Sequence, residues 1–288
     1  MKKYQLKIAV LTLSALAFFS SCKKDDKPTA TGDVMTFTGT IGGGAKTEIN
    51  GLEMKWSTGD KVVINGVDCT SDLTNDRTTA TFTGVVVPTD KYEAYYPTSL
   101  YKNGDYVLPE IQYYNGGNLS KVNPMYAYSA TTDLQFYNIC ALMKLVVRGE
   151  GKVKTITVSA NKGGNPALLS GAFAIKGDAS AGFYAEMKSA SDGGSTSLTL
   201  DCGEAGVHLS SDPENPTIFY IAMPKGEYSD LVFTFKADPI DSVWSSSPVT
   251  RKLEAGEMHV RELAGVSVVK PEKLPGVFTV NGSGKQVQ

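Results

Sequence analysis

The sequence predicts an all-β chain organised as two tandem β-sandwiches. One observation is a series of short segments rich in Val, Ile, Thr, Tyr and Phe, many alternating apolar with polar residues: "MTFTGTI", "DKVVING", "TTATFTGVVV", "KYEAYYP", "CALMKLVVRG", "VKTITVSA", "TSLTLDC", "TIFYIAMP", "DLVFTFKAD" and "HVRELAGVSV". A second is the Gly, Asn, Asp and Pro clusters between them, such as "NGVD", "YKNGD", "NKGGNP" and "DPENP". The third is that no segment keeps a 3.6-residue period for long. Short strands punctuated by turn signals are the pattern of β-sandwiches.

The chain opens with "MKKYQLK", a basic start, followed by "IAVLTLSALAFF", an apolar run of signal-peptide length that is too short to span a bilayer as a mature helix. Residues 1–21 are therefore expected to be a signal peptide. Cys22 follows small residues in "SSC", the position of an acylated cysteine in a lipoprotein signal, although Phe19 and Ser21 depart from the usual residues there. Residues 22–33, with "KKDDKPTATGD", look like a polar tether. Loss of Lys2, Lys3 and Lys7 would lower Lys+Arg from 28 to 25 against 30 Asp+Glu, a formal charge of −5. No basic cluster appears, so nucleic acid is not an expected partner.

The first strand signal, "MTFTGTI", places Met35, Phe37, Gly39 and Ile41 on one face and Thr36, Thr38 and Thr40 on the other. Gly42 to Gly44 follow, then Lys46, the only basic residue between Lys27 and Lys55. A glycine loop carrying one basic residue is a candidate for cutting by a trypsin-like protease, and "MTFTGTI" is expected to be an edge strand. "EMKWSTGDKVVI" puts Met54 and Trp56 on one face, so Trp56 is expected in the core. "CALMKLVV" is the most apolar strand signal, as a central strand covered on both faces would be, and "GEG" is expected to break it. This suggests an N-terminal sandwich at 34–150 and a C-terminal one at 151–268, each of sandwich size. Residues 269–288 begin with the proline-bearing "KPEKLPG". They end in "VFTVNGSGKQVQ", read as an appended strand or the start of a further module.

Residues that could carry chemistry are sparse. His208 and His259 stand singly, without metal-pair spacing, and no GxSxG elbow occurs. Asp68, Asp72, Asn75 and Asp76 lie close together but lack EF-hand spacing, and solvated turn acids are the simpler reading. "GTIGGGAKT" imitates a phosphate loop, but Ala45 separates glycine from Lys46 and the following "TEINGLEMKW" alternates like a strand. Cys69, Cys140 and Cys202 show no CxxC spacing, and Cys140 reads as a buried free thiol. Tyrosines cluster in "KYEAYYP", "YKNGDY", "IQYY" and "YAYS". They could stack on sugars, but core and loop packing is the favoured reading. No metal, cofactor or catalytic residue is assigned, and the chain reads as non-enzymatic.

In order along the chain, "AKTEINGLEMKWSTGDKVVI", "YEAYYP", "LPEIQYY", "PMYAYS", "LQFYNICALMKLVV", "VKTITVSA", "LSGAF" and "FYIAMPKGEYSDLVFTF" resemble the fimbrillin-like proteins, lipoprotein precursors of type V pilus subunits. The resemblance covers roughly residues 34–268; the lipobox and the tail after Lys270 depart from it. It implies two transthyretin-like β-sandwich domains, lipidation at Cys22 and export to the outer membrane. It also implies assembly into a fimbria by strand exchange: a protease cuts after a basic residue, the N-terminal strand leaves, and a strand of another pilus subunit fills the groove. Lys46 is the processing candidate, and Met35, Phe37, Gly39 and Ile41 belong to the exchanged strand. The alternative is a monomeric surface lipoprotein that binds a glycan or host ligand on the same fold.

Overall fold

Branched and aromatic side chains at alternate positions favour a pleated strand over a helix, where they lose rotamer freedom. The computed structural model has this character throughout. The structure describes residues 32–42, 48–49, 52–102, 104–116, 124–237, 242–269, 279–280 and 286–287. Among them the elements are strands, with two single 3₁₀ turns at Thr98–Leu100 and Ala190–Asp192 and no α-helix, so the all-β expectation holds.

The principal strands of the N-terminal half are β1 (Asp33–Ile41), β2 (Lys61–Ile64), β3 (Val67–Ser71), β4 (Thr79–Val86) and β5 (Tyr92–Tyr96). The chain leaves this sheet through β6 (Asp105–Leu108) and β7 (Ile111–Tyr113), then returns to it as β8 (Met125–Ser129) and β9 (Asp133–Asn138). The order β1-β9-β8-β5-β2-β3-β4 closes on itself, because β1 pairs antiparallel with β4 and parallel with β9. The expected edge strand is thus not an edge. Residues 38–40 have strand neighbours on both sides, which satisfies backbone groups that an edge would leave open.

The remaining principal strands are β10 (Ala141–Lys162), β11 (Ser170–Asp178), β12 (Gly182–Met187), β13 (Thr199–Asp201), β14 (Thr217–Met223), β15 (Gly226–Ala237), β16 (Val243–Ser245), β17 (Val249–Leu253) and β18 (Met258–Val268). β10 is the organising strand. Its first half lies between antiparallel β14 and parallel β18, and its second half between β13 and β15. Two-residue periodicity sends its side chains to two cores: Ala141, Met143, Leu145 and Val147 pack with Phe219, Phe233 and Phe235, whereas Leu142 joins the core of the closed sheet. This is the two-faced burial that the apolar run indicated. "GEG" does not break the strand. β10 continues through Gly149–Gly151 with a register shift against β18 between Val147 and Gly149, so the position 150/151 falls inside it.

A third cluster, with Tyr95, Leu100, Tyr126, Ile139, Cys140, Phe173 and Phe183, joins the closed sheet to β11 and β12. Cys69, Cys140 and Cys202 are all buried and free. Burial pushes the Cys69 thiol up to about 11, helped by the Asp68 carboxylate, and the Cys140 and Cys202 thiols up to about 12, with Asp201 adding to the latter. Thiolates are the reactive species. A native Cys22→Ala chain should therefore resist a thiol reagent at neutral pH and release three reactive thiols only on denaturation. Fast labelling of the native chain would show that one of these sites opens. In the tail, Thr279–Val280 pairs antiparallel with Gln286–Val287; Val277 and Phe278 lie outside the described residues.

Candidate functional site

The feature that stands out is the seat of β1. Along its inner face Phe37, Gly39 and Ile41 are buried and Met35 is half-buried, while Thr36 and Thr38 face outward. The outer row is matched across the ladder: Thr36, Thr38 and Thr40 lie opposite Thr83, Thr81 and Thr79 of β4, and the Thr40 and Thr79 hydroxyls are 3.2 Å apart. On the inner row Met35 faces Gly84, Phe37 faces Phe82 and Gly39 faces Ala80. A large residue thus meets a small one at Met35–Gly84, two small ones meet at Gly39–Ala80, and two large ones meet at the central phenylalanine pair, where Phe37 also sets its ring edge-on to Tyr92 at 5.0 Å.

Beneath Gly39 lies an aromatic cage. Trp56 is fully buried and packs edge-to-face on Phe82, Tyr96 and Phe136, with ring centres 5.0–5.1 Å away. Its indole Nε1–H donates to the Gly39 carbonyl at 2.9 Å. The turn "WSTGD" explains how Trp56 is held. The backbone of Trp56 exchanges hydrogen bonds with Arg77 at 2.7 and 3.0 Å, and Gly59 supplies a φ of 81°. The buried Asp60 carboxylate accepts from the Ser57 N–H at 2.7 Å and from the Tyr96 hydroxyl at 3.1 Å. Burial, together with that carboxylate, drives the Tyr96 phenol far above its ordinary value, so it remains a donor.

A Cβ on Gly39 would lie 2.6 Å from Phe82 and 3.2 Å from Phe136, so the strand's backbone rides directly on the rings. At the end of β1, Gly42 turns out with a φ of 103°, its N–H reaches the Phe136 carbonyl at 3.1 Å, and the Gln135 amide donates to its carbonyl. Met35, Phe37, Gly39 and Ile41 thus share one seat. The processing candidate Lys46 and the lipidation candidate Cys22 lie outside the described residues, as do Gly43 and Gly44.

The sequence reading missed the role of Phe82 and Gly84. The signal was there: "TFTG" occurs at 36–39 and again at 81–84, and the two copies lie antiparallel in β1 and β4. A repeated strand pattern with glycine two residues after phenylalanine marks a pair whose side chains must interlock.

The other residues singled out from sequence do not gather. Asp68, Asp72, Asn75 and Asp76 are exposed, and the Asn75 side-chain Oδ1 accepts from Arg77 Nε at 2.8 Å. His208 is exposed; His259 is half-buried, its Nε2 accepts the Glu254 N–H at 3.2 Å, and burial lowers its pKa. Most of the clustered tyrosines are packed: Tyr92, Tyr95, Tyr96 and Tyr126 are buried, and Tyr95 and Tyr106 both donate to the Glu93 carboxylate, at 2.7 and 3.1 Å. Tyr113 is 68% exposed beside Ile111 on β7, at a cleft of about 930 Å³. Between them Gln112 turns inward and pairs its amide with both backbone groups of Ala222, at 2.8 and 2.9 Å.

No protein-family model matches the chain, and no curated protein matches it in sequence. Among solved structures it is similar to a candidate cell adhesion protein from Bacteroides ovatus, at 13% identity and a TM-score of 0.45, over 84% of this chain and 97% of that one. A candidate cell adhesion protein from Bacteroides uniformis is similar at 13% identity and a TM-score of 0.43, over 80% and 92% of the two chains. A fimbrial protein from Bacteroides ovatus is similar at 10% identity and a TM-score of 0.31, over 83% of this chain and 51% of that one. Likenesses this distant carry no argument about the present chain.

Proposed function

We propose that the chain is a structural or accessory subunit of a cell-surface pilus that supports adhesion. In this reading it is exported as an outer-membrane lipoprotein anchored through Cys22 and assembled by protease-triggered strand exchange. The observation that carries the reading is the seat of β1. Taking β1 away would leave the ladder groups of β4 and β9 unpaired, the Trp56 indole without its acceptor, and the rings of Phe82, Phe136 and Tyr92 uncovered. Such a groove is unstable in water and is refilled by any extended chain that restores both the ladder and the side-chain contacts. The resemblance of the sequence to fimbrillin-like proteins supplies the biological setting.

The test is limited digestion of the purified precursor with a trypsin-like protease. Ladders of oligomers should appear on a gel, and a Lys46→Ala chain should stay monomeric under the same treatment. Complete cleavage at Lys46 that yields monomers of native stability would overturn the reading. The second reading, a monomeric surface lipoprotein that binds a glycan or host ligand, is favoured by exposed Tyr113 and Ile111 at their cleft. Sugar binding by the undigested monomer, lost in Tyr113→Ala, would support it.

A further inference from the structure

From the contacts beneath Gly39 we infer that the β1 groove accepts an incoming strand in one register only, fixed by a residue without a Cβ seated over Trp56, Phe82 and Phe136. The inference rests on the exchange reading and names the partner: an extended segment of another subunit carrying a large apolar residue, then glycine two positions on, then a β-branched residue two further on.

Alternation of apolar and polar residues does not by itself fix the register of β1. A slip of one residue would turn the threonine row inward, so the apolar face excludes it. A slip of two keeps apolar residues inside and costs the alternation nothing. What forbids it is local. Slipping β1 by two in either direction brings Phe37 or Ile41 to the position of Gly39, where even a single carbon meets the Phe82 ring at 2.6 Å. Phe82 has little freedom to withdraw, since Trp56 sits edge-on to it and also contacts Phe136 and Tyr96. Tyr96 in turn is tied to buried Asp60.

A second constraint works by attraction. The Trp56 indole has one donor, and it reaches the Gly39 carbonyl at 2.9 Å. A side chain at this position would lift the strand off the cage and lengthen that bond, leaving a buried donor without its partner. Glycine is needed here for close approach rather than for unusual backbone angles. On either side Phe37 fits against Tyr92, and Ile41 is buried near the Gly42 end, so the pattern has a defined reading frame.

The experiment has two arms on the full chain, in a Trp244→Phe background so that Trp56 alone reports. In the intact chain, Gly39→Val should lower the unfolding midpoint and shift Trp56 emission to the red, whereas Thr38→Val should do neither. After protease treatment, a fluorescent peptide "DVMTFTGTI" and its Thr38→Val form should be captured, while capture of the Gly39→Val form falls roughly tenfold or more, as overpacking against a closed core implies. Equal capture of the Gly39→Val peptide would overturn the glycine requirement and leave strand exchange standing. Capture of no peptide, with no oligomers formed, would overturn exchange and the reading frame together.

Discussion

Replacing Trp56 by alanine should cost about 3–5 kcal/mol, the range for emptying a fully buried large aromatic site. The side chain is 0% exposed and lies against three rings that are themselves buried, so the cavity has little room to collapse. The change also removes the donor to Gly39. Trp56→Phe separates the two contributions: it refills much of the volume but has no N–H, and should cost about 1–3 kcal/mol, the scale of losing a buried hydrogen bond together with imperfect packing. Chemical denaturation of the full chain measures both. Amide exchange adds a positional check, because β1 should lose protection before β10 does. Equal midpoints for wild type and Trp56→Ala would mean that the cage does not support the closed sheet.

Much of the fold was legible because two-residue alternation is written directly in the side chains. Phe37, Gly39 and Ile41 turn inward with Thr36 and Thr38 outward, and the apolar "CALMKLVV" is covered on both faces, as its composition required. Closure of the first sheet was not legible. The parallel pairing of Thr38–Ile41 with Asp133–Phe136 joins segments about ninety residues apart, and nothing local in either segment states its partner. The cage under Gly39 was hidden for a related reason. Trp56 was recognisable as core, but the glycine it meets looked like a small member of an apolar face. Only the tertiary arrangement makes its missing Cβ a requirement. The tyrosine clusters misdirect in the other direction, since aromatic density in short strands serves packing around Glu93 and Phe183 more than any exposed surface.

Gly149 gives the second large effect, and it reverses the meaning the sequence suggested. A glycine after "KLVVR" looked like a strand terminator. Instead it lets β18 pass close alongside a strand that continues. A Cβ built on Gly149 would lie 1.9 Å from the Val266 carbonyl oxygen and 2.8 Å from its carbonyl carbon. Both are backbone atoms, so no rotamer change relieves the clash. Gly149 also donates its N–H to the Ser210 carbonyl at 2.9 Å and pairs with Val266, which fixes it from both sides. Gly149→Ala must therefore push β18 away from β10, in the stretch where buried Val266 and Val268 enter the core. The expected loss is about 3 kcal/mol, the upper end of ordinary overpacking, because the obstacle is main chain. Gly104→Ala provides the contrast: its φ is 88° but nothing lies within 4 Å of the added carbon, so only backbone strain of about 1–2 kcal/mol applies. Denaturation midpoints should rank wild type above Gly104→Ala and Gly104→Ala above Gly149→Ala, with faster amide exchange in β18 for the last. Were Gly149→Ala to unfold at the wild-type midpoint, β18 would not lie against β10 at this glycine, and the parallel pairing of the two strands would end at Val147.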